Sequence, residues 1–186
     1  MLINTKRVQS ALSFASKCHG DVGQMRATDT PYIVHPYAVM GIVQRYSSDY
    51  GNDLENALCV AALHDSLEDT KATEATIREL FGNQVLAGVQ AMTKNKAIEN
   101  KLDCLLDSLE RALHIGPWVV GIKCCDRIEN LSFVTIPDSW SRKKKIEYVH
   151  KEAAIILYHG RKAGMHQTSD RLEHAMHVYE QYITDV

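Results

Sequence analysis

Apolar side chains along this chain recur every three or four positions, with little of the alternation a half-buried strand needs, so the pattern predicts helix after helix. Val8, Leu12 and Ala15 share one face of a first helix over about residues 5–19. Residues 21–31 hold both glycine and proline and read as a loop. Pro36 suits the opening of a helix that turns Ala38, Val39 and Ile42 inward. Leu54, Leu58 and Ala61 form the next apolar row. Thr73 can cap a helix ending at Gly82, and residues 83–92 form another. The polar run TKNKAIENK then connects to a helix over residues 102–114. Gly116 and Pro117 punctuate the chain before a row of Val119 and Ile122, and two last helices cover about 141–162 and 168–183. No repeat, linker or glycine-rich phosphate loop is visible. The expectation is an all-α fold forming one domain over residues 1–186.

Composition narrows the setting more than the chemistry. A chain of 186 residues is long enough for a substantial core. Its formal charge of −2 and pI near 6.5 give no signature of sequence-specific nucleic-acid binding. No apolar run approaches the ~20 residues of a membrane helix, and the opening MLINTKRVQS lacks the apolar core of a signal peptide. Five cysteines, at 18, 59, 104, 124 and 125, form no CxxC pair, which argues against a disulfide framework and for a reducing compartment. The protein is expected in the cytoplasm, without a membrane partner. Cys124 and Cys125 read as small core residues.

Chemistry enters where polar groups interrupt apolar rows. Leu54, Leu58 and Ala61 step onward to Asp65, Ala57 and Val60 lead to His64, and Val119 and Ile122 lead to Asp126 and Asn130. A carboxylate facing the core costs several kcal/mol, roughly, unless a metal or a donor compensates it. With His35 in YIVHPYAV, the residues His64, Asp65 and Asp126 can close a metal site from three helices. Imidazole plus carboxylate is a borderline ligand set that suits Mn²⁺, Fe²⁺ or Zn²⁺ and leaves positions free for water and substrate. Such a metal lowers the pKa of its water and polarises a phosphoryl oxygen, which points to hydrolysis.

Taken together, CHG at 18–20, QMRATDTPYIVHPYAV, ALHDSLEDT, the T-x-x-x-I-x-x-x-FG run at 73–82, KCCDRIENL, DSW at 138–140 and EY at 147–148 resemble the HD superfamily of metal-dependent phosphohydrolases. Within it the chain is similar to small alarmone hydrolases, relatives of the hydrolase half of RelA/SpoT proteins. The likeness runs nearly the full length and implies an HD-domain helical bundle with manganese at the four ligands. It also implies that Glu68 and Asp69 orient the attacking water and handle its proton, a role that needs carboxylates beside the metal ligands. A helix continuing from His64 would project both from the ligands' side, whereas the plainer role for Asp69 or Thr70 is to cap the next helix.

The same resemblance makes Arg26, Asn130 and Tyr148 substrate contacts. Asn130 could otherwise lock the Asp126 carboxylate. His19 is expected to support the site, and the basic run 142–145 either attracts a polyanionic nucleotide or forms a solvated helix end. The remaining histidines read as structural or surface groups. Two basic groups usual in the family are missing: Ala27 stands where a basic residue usually follows Arg26, and Ser132 and Phe133 occupy a turn that commonly carries an arginine. The activity implied is removal of the 3′-pyrophosphate from guanosine 3′,5′-bis(diphosphate) and its pentaphosphate, giving GDP or GTP and pyrophosphate. The alternatives are hydrolysis of another nucleotide (an adenosine alarmone, a 5′-monophosphate or a pyrophosphorylated RNA end) and an antitoxin-type protein that docks an alarmone synthetase. A homo-oligomer is compatible with each.

Overall fold

The computed structural model describes residues 3–26, 29–132 and 139–185. Helices α1 (Thr5–Asp21), α2 (Val34–Arg45), α3 (Leu54–Leu63), α4 (Ser66–Asp69), α5 (Glu74–Met92) and α6 (Lys101–Ile115) lead into α7 (Pro117–Asn130). Short α8 (Arg142–Glu147), a π turn (Tyr148–Ala153), α9 (Ala154–Lys162) and α10 (His166–Asp185) follow. Among the described residues there is no strand, and the bundle is all-α as the periodicity predicts. Among the described residues no helix is long and apolar enough to cross a membrane.

Local chemistry sets the helix ends. The Asn4 side chain accepts from the Arg7 amide, Thr73 from Thr76 N, and Asn100 from the amides of both Leu102 and Asp103. Each satisfies orphan donors of a first helical turn. The expected division at Gly82 is present as a sharp bend inside α5, where φ is 82° and ψ is 171°. Glycine reaches that conformation without a Cβ penalty. The expected 141–162 helix instead passes through the π turn, which re-aims the residues beginning at Tyr148.

Helix α3 is the axis of the fold. Every residue from Ala57 to Leu63 is buried, and α1, α2, α5 and α7 pack around it. Burying a Val or Leu side chain contributes about 1.5–3 kcal/mol, so this row resists displacement. Contact with α5 is close: a Cβ at Gly88 would stand 2.6 Å from Val60 Cγ2. Helix α7 is buried without a break from Trp118 to Cys125 and is backed by α9 and α10. The ends of α3 and α7 and the start of α2 are thereby fixed against one another.

Candidate active site

His35 stands in the first turn of α2, His64 directly follows α3, and Asp126 lies one turn before the end of α7. Their facing atoms crowd one point. His35 Nε2 is 3.1 Å from His64 Nε2 and 3.1 Å from Asp126 Oδ1, while His64 Nε2 is 3.7 Å from that oxygen. One ligand atom from each of these three residues lies within 4.8 Å of the others. Asp65 adjoins them, with Oδ2 2.9 Å from His64 Nε2 and 3.6 Å from His35 Nε2. The four residues named from sequence therefore meet.

The outer atoms of both rings decide what that meeting can hold. His35 Nδ1 is 2.6 Å from Glu129 Oε2, and His64 Nδ1 is 2.9 Å from the Ala61 carbonyl. Both partners only accept, so both Nδ1 atoms donate, and in the neutral rings both Nε2 atoms present lone pairs inward. Two imidazole lone pairs and two carboxylates then converge with no donor among them. This arrangement fits a divalent cation and disfavours an empty centre. Outer donors steady the carboxylates: Tyr32 Oη–H donates to Asp65 Oδ2 at 2.6 Å, and Asn130 Nδ2 to Asp126 Oδ1 at 2.7 Å.

Without a cation, protons compensate. Burial opposes charge on His35, but its hydrogen bonds with Asp126 and Glu129 outweigh that and hold its pKa up to about 9. Burial likewise opposes charge on His64, and Asp65 and Asp126 raise it nevertheless. Burial pushes the Asp65 carboxyl upward, yet the adjacent His64 holds it down to about 2. Asp126 also sits well below the usual carboxylate range, burial being overcome by the two histidines.

Beyond this centre the structure departs from expectation at three points. The helix does not run through to Asp69. It ends at Leu63, and the amides of Glu68 and Asp69 both donate to the Asp65 carbonyl in a separate turn. Capping of the following helix falls to Thr73, not to Asp69 or Thr70. Glu68 pairs with Lys94, whose Nζ is 2.6 Å from Oε1 and whose backbone amide donates to Oε2 at 3.2 Å. Asp69 accepts from Gln24 Nε2 at 3.0 Å, and its pKa is raised, chiefly by burial.

Arg26 is paired with an acid of the ligand helix. Its guanidinium grips Glu129 in a two-pronged pair at 2.6 and 3.1 Å, with only 11% of the side chain exposed. Glu129, three residues after Asp126 on the same helix face, links Arg26 to His35 Nδ1. Tyr148 packs its ring under the Arg127 guanidinium, 3.9 Å to the centroid, and against Trp140. Burial is the main reason that its phenol pKa is raised, and Asp126 and Glu129 add to that effect. His19 Nδ1 bonds Gln24 Oε1 at 2.6 Å, and its ring stacks on Tyr32. Ala27 and Phe133 lie outside the described residues, as does Asp138 of the DSW run.

A helical bundle that gathers His35, His64-Asp65 and Asp126 at one point, in an arrangement that could hold a cation, has the HD signature. The chain belongs to the HD domain family, whose pattern matches residues 11–151. The guanosine-3′,5′-bis(diphosphate) 3′-pyrophosphohydrolase MESH1 of Homo sapiens is 29% identical to it over 174 residues, 92% of each chain. A protein of Aquifex aeolicus with the same enzymatic name, without the MESH1 label, is 31% identical over 148 residues, 76% of this chain. This chain spans only 20% of the Aquifex protein. Among solved structures, one described as a metazoan ortholog of SpoT that hydrolyzes ppGpp matches with a TM-score of 0.78 at 23% identity. That match covers 95% of this chain and 97% of the other, and it establishes the shared fold.

Proposed function

We propose that the protein is a manganese-dependent 3′-pyrophosphohydrolase of guanosine 3′,5′-bis(diphosphate) and its pentaphosphate, releasing GDP or GTP and pyrophosphate, and that residues 1–186 act as one HD hydrolase domain. The observation that carries this reading is the donor-free convergence of His35, His64, Asp65 and Asp126, with Glu68 and Asp69 following within one turn. Support comes from a human relative matched over nearly its whole length and named for that reaction. A cytoplasmic setting agrees with five free cysteines.

A divalent cation bound by the four ligands supplies a Lewis acid and an activated water at neutral pH. Mn²⁺ fits the mixed nitrogen and oxygen set, which Fe²⁺ or Zn²⁺ could also occupy. Around it the chain's own groups divide the work. Glu129 and Ala61 O fix the ring tautomers, while Tyr32 and Asn130 hold the two carboxylates in register. Glu68 and Asp69 handle the proton, and burial moves Asp69 toward the range where a carboxylate exchanges protons readily. Arg26, held beside the centre by its pair with Glu129, is a contact of the nucleotide. Tyr148, with its ring backed by Arg127, and Asn130 are the further contacts of the nucleotide.

Incubating ppGpp with the Mn²⁺-replete protein tests the reading. GDP and intact pyrophosphate are expected, with little orthophosphate and no cleavage of GMP or AMP. Orthophosphate released mainly from a 5′-monophosphate would transfer the assignment to a nucleotidase. Absence of any nucleotide cleavage would favour a binding or antitoxin-type protein acting on a synthetase.

A further inference from the structure

Charge around the site is lopsided. Asp65, Asp126, Glu129, Glu68 and Asp69 gather at one end of the bundle, yet the substrate class proposed above is itself a polyanion. Among the described residues, the cations near these acids differ in what they can offer. Arg26 is committed to Glu129 and is 11% exposed. Lys123 and Arg127 are buried on α7, at 7% and 8% exposure, with Arg127 stacked on Tyr148. Lys94 is different: its side chain is 71% exposed, and its ammonium senses Asp65 and Asp69 as well as Glu68.

Lys94 is also built in at its backbone. The preceding Thr93 carbonyl accepts from Arg111 Nη2 at 2.9 Å, and the Thr93 hydroxyl donates to Val89 O at 2.9 Å. Glu68 is held twice by this one residue, through Nζ at one oxygen and through the amide at the other. If Nζ leaves, the amide still anchors Glu68. An ammonium on a flexible four-carbon stem can make that exchange, whereas a guanidinium locked in a two-pronged pair cannot do so cheaply.

We infer that Lys94 is a phosphate contact of the substrate: its ammonium leaves Glu68 Oε1 for a phosphoryl oxygen, while its amide keeps Glu68 in place. The inference rests on the phosphohydrolase reading for its substrate class. The movement also frees one Glu68 oxygen as substrate arrives, so binding and proton handling share a trigger. The polar run that connects α5 to α6 thereby gains a function.

The test uses the full chain, metal-replete, as wild type, Lys94→Met and Lys94→Arg. KM and kcat are measured on ppGpp, and equilibrium binding of inorganic pyrophosphate is measured at fixed free Mn²⁺. Lys94→Met should raise KM and weaken pyrophosphate binding by about tenfold, with kcat within about threefold and metal content unchanged, the pattern of lost uniform binding. Its kcat/KM should depend less steeply on salt than that of wild type. Lys94→Arg should recover most of the loss. Unchanged KM and pyrophosphate affinity in Lys94→Met would overturn the inference, as would a fall confined to kcat, which would leave Lys94 serving Glu68 alone. A wild type that binds pyrophosphate but leaves ppGpp intact would count against the function proposed above, while the pyrophosphate arm still judged Lys94. A wild type that does not bind pyrophosphate would overturn Lys94 as a phosphate contact.

Discussion

His64 and Asp65 precede Glu68 and Asp69 by only four residues, yet the two pairs are held by different means. The inner pair sits where the buried α3 stops, with His64 only 2% exposed and both residues tied to neighbours that are themselves packed. The outer pair sits on a short separate turn and is held by side chains nearer the surface, Lys94 for Glu68 and Gln24 for Asp69. Rigid burial suits groups that must present fixed lone pairs to a cation. Exchangeable partners suit groups that must move a proton or meet a substrate. If the distinction is real, damage to the inner pair removes the metal, and damage to the outer pair removes turnover alone.

The largest effect should come from Asp126→Ala, which takes one member from the tightest group of ligand atoms. Bound metal and turnover should both be lost, with the helical circular dichroism signal retained. Full occupancy by elemental analysis in that variant would show that the inner ring is not a single site. The outer pair predicts the contrasting result. Glu68→Gln with Asp69→Asn should leave metal content nearly unchanged and lower turnover by about 10²-fold or more. Wild-type turnover there would reduce both acids to surface roles.

Glu129 sharpens the boundary, because it touches no shared centre directly yet orients His35 and anchors Arg26. Glu129→Gln keeps the shape and removes the charge that fixes the His35 ring. Metal affinity should fall by about 10–100-fold, the usual scale for an outer partner of a metal-binding histidine. Unaltered affinity in a chelator competition would remove Glu129 from the positioning chain.

The pattern of residues made much of this arrangement readable in advance, and the limit was physical. Helical rows ending in His64, Asp65 and Asp126 are set by local periodicity, which sequence displays. Gly82 and the Thr73 cap were visible for the same reason. The Arg26 pair with Glu129 joins residues 103 positions apart, and no local rule couples a loop arginine to a helix glutamate. The spacing from Asp126 to Glu129 did place the acid on the ligand face, a signal that DRIEN contained and that went unused. Tyr32, three residues before His35, offered a similar one. Lys94 and Gln24 gave no such signal, since only the packing of α5 and α1 brings them beside Glu68 and Asp69. The π turn at Tyr148 likewise has no counterpart in the helical spacing of residues 141–162.

Acidity offers a further separation of the two regions. In the metal-free protein His35 is held up to about 9 from its ordinary 6.5, and His64 shifts in the same direction. A raised folded-state pKa contributes stability that is complete below the unfolded value and lost as pH rises through the folded one. The metal-free protein should therefore lose melting temperature between pH 6.5 and 9, by about 5 °C for a domain of this size. If Mn²⁺ binds at these residues it must displace those protons, so protein loaded with it should gain most at the upper end. Thermal melts with chelator and with Mn²⁺ at both pH values check this. A metal-free melting temperature that rises across the interval would contradict the inner ring's proton bookkeeping.

Gln24 carries the smallest expected effect and asks most of the comparison. Its amide has one orientation consistent with its neighbours: Nε2 must face the Asp69 carboxylate, which leaves Oε1 to accept from His19 Nδ1. That bond lowers the Asp69 pKa, against burial, which raises it. Gln24→Leu removes the donor, so the carboxyl pKa must rise further and the fraction ionised at a given pH must fall. If ionised Asp69 accepts the proton, the acidic limb of the kcat profile moves to higher pH, and turnover on that limb drops below that of wild type while the plateau above it holds. Metal content and KM should hold, because Gln24 contacts neither a metal ligand nor the groups assigned to the nucleotide. A variant that slows without any shift of that limb would mean that Gln24 merely supports the loop, and that Asp69 is not the group whose ionisation the reaction requires.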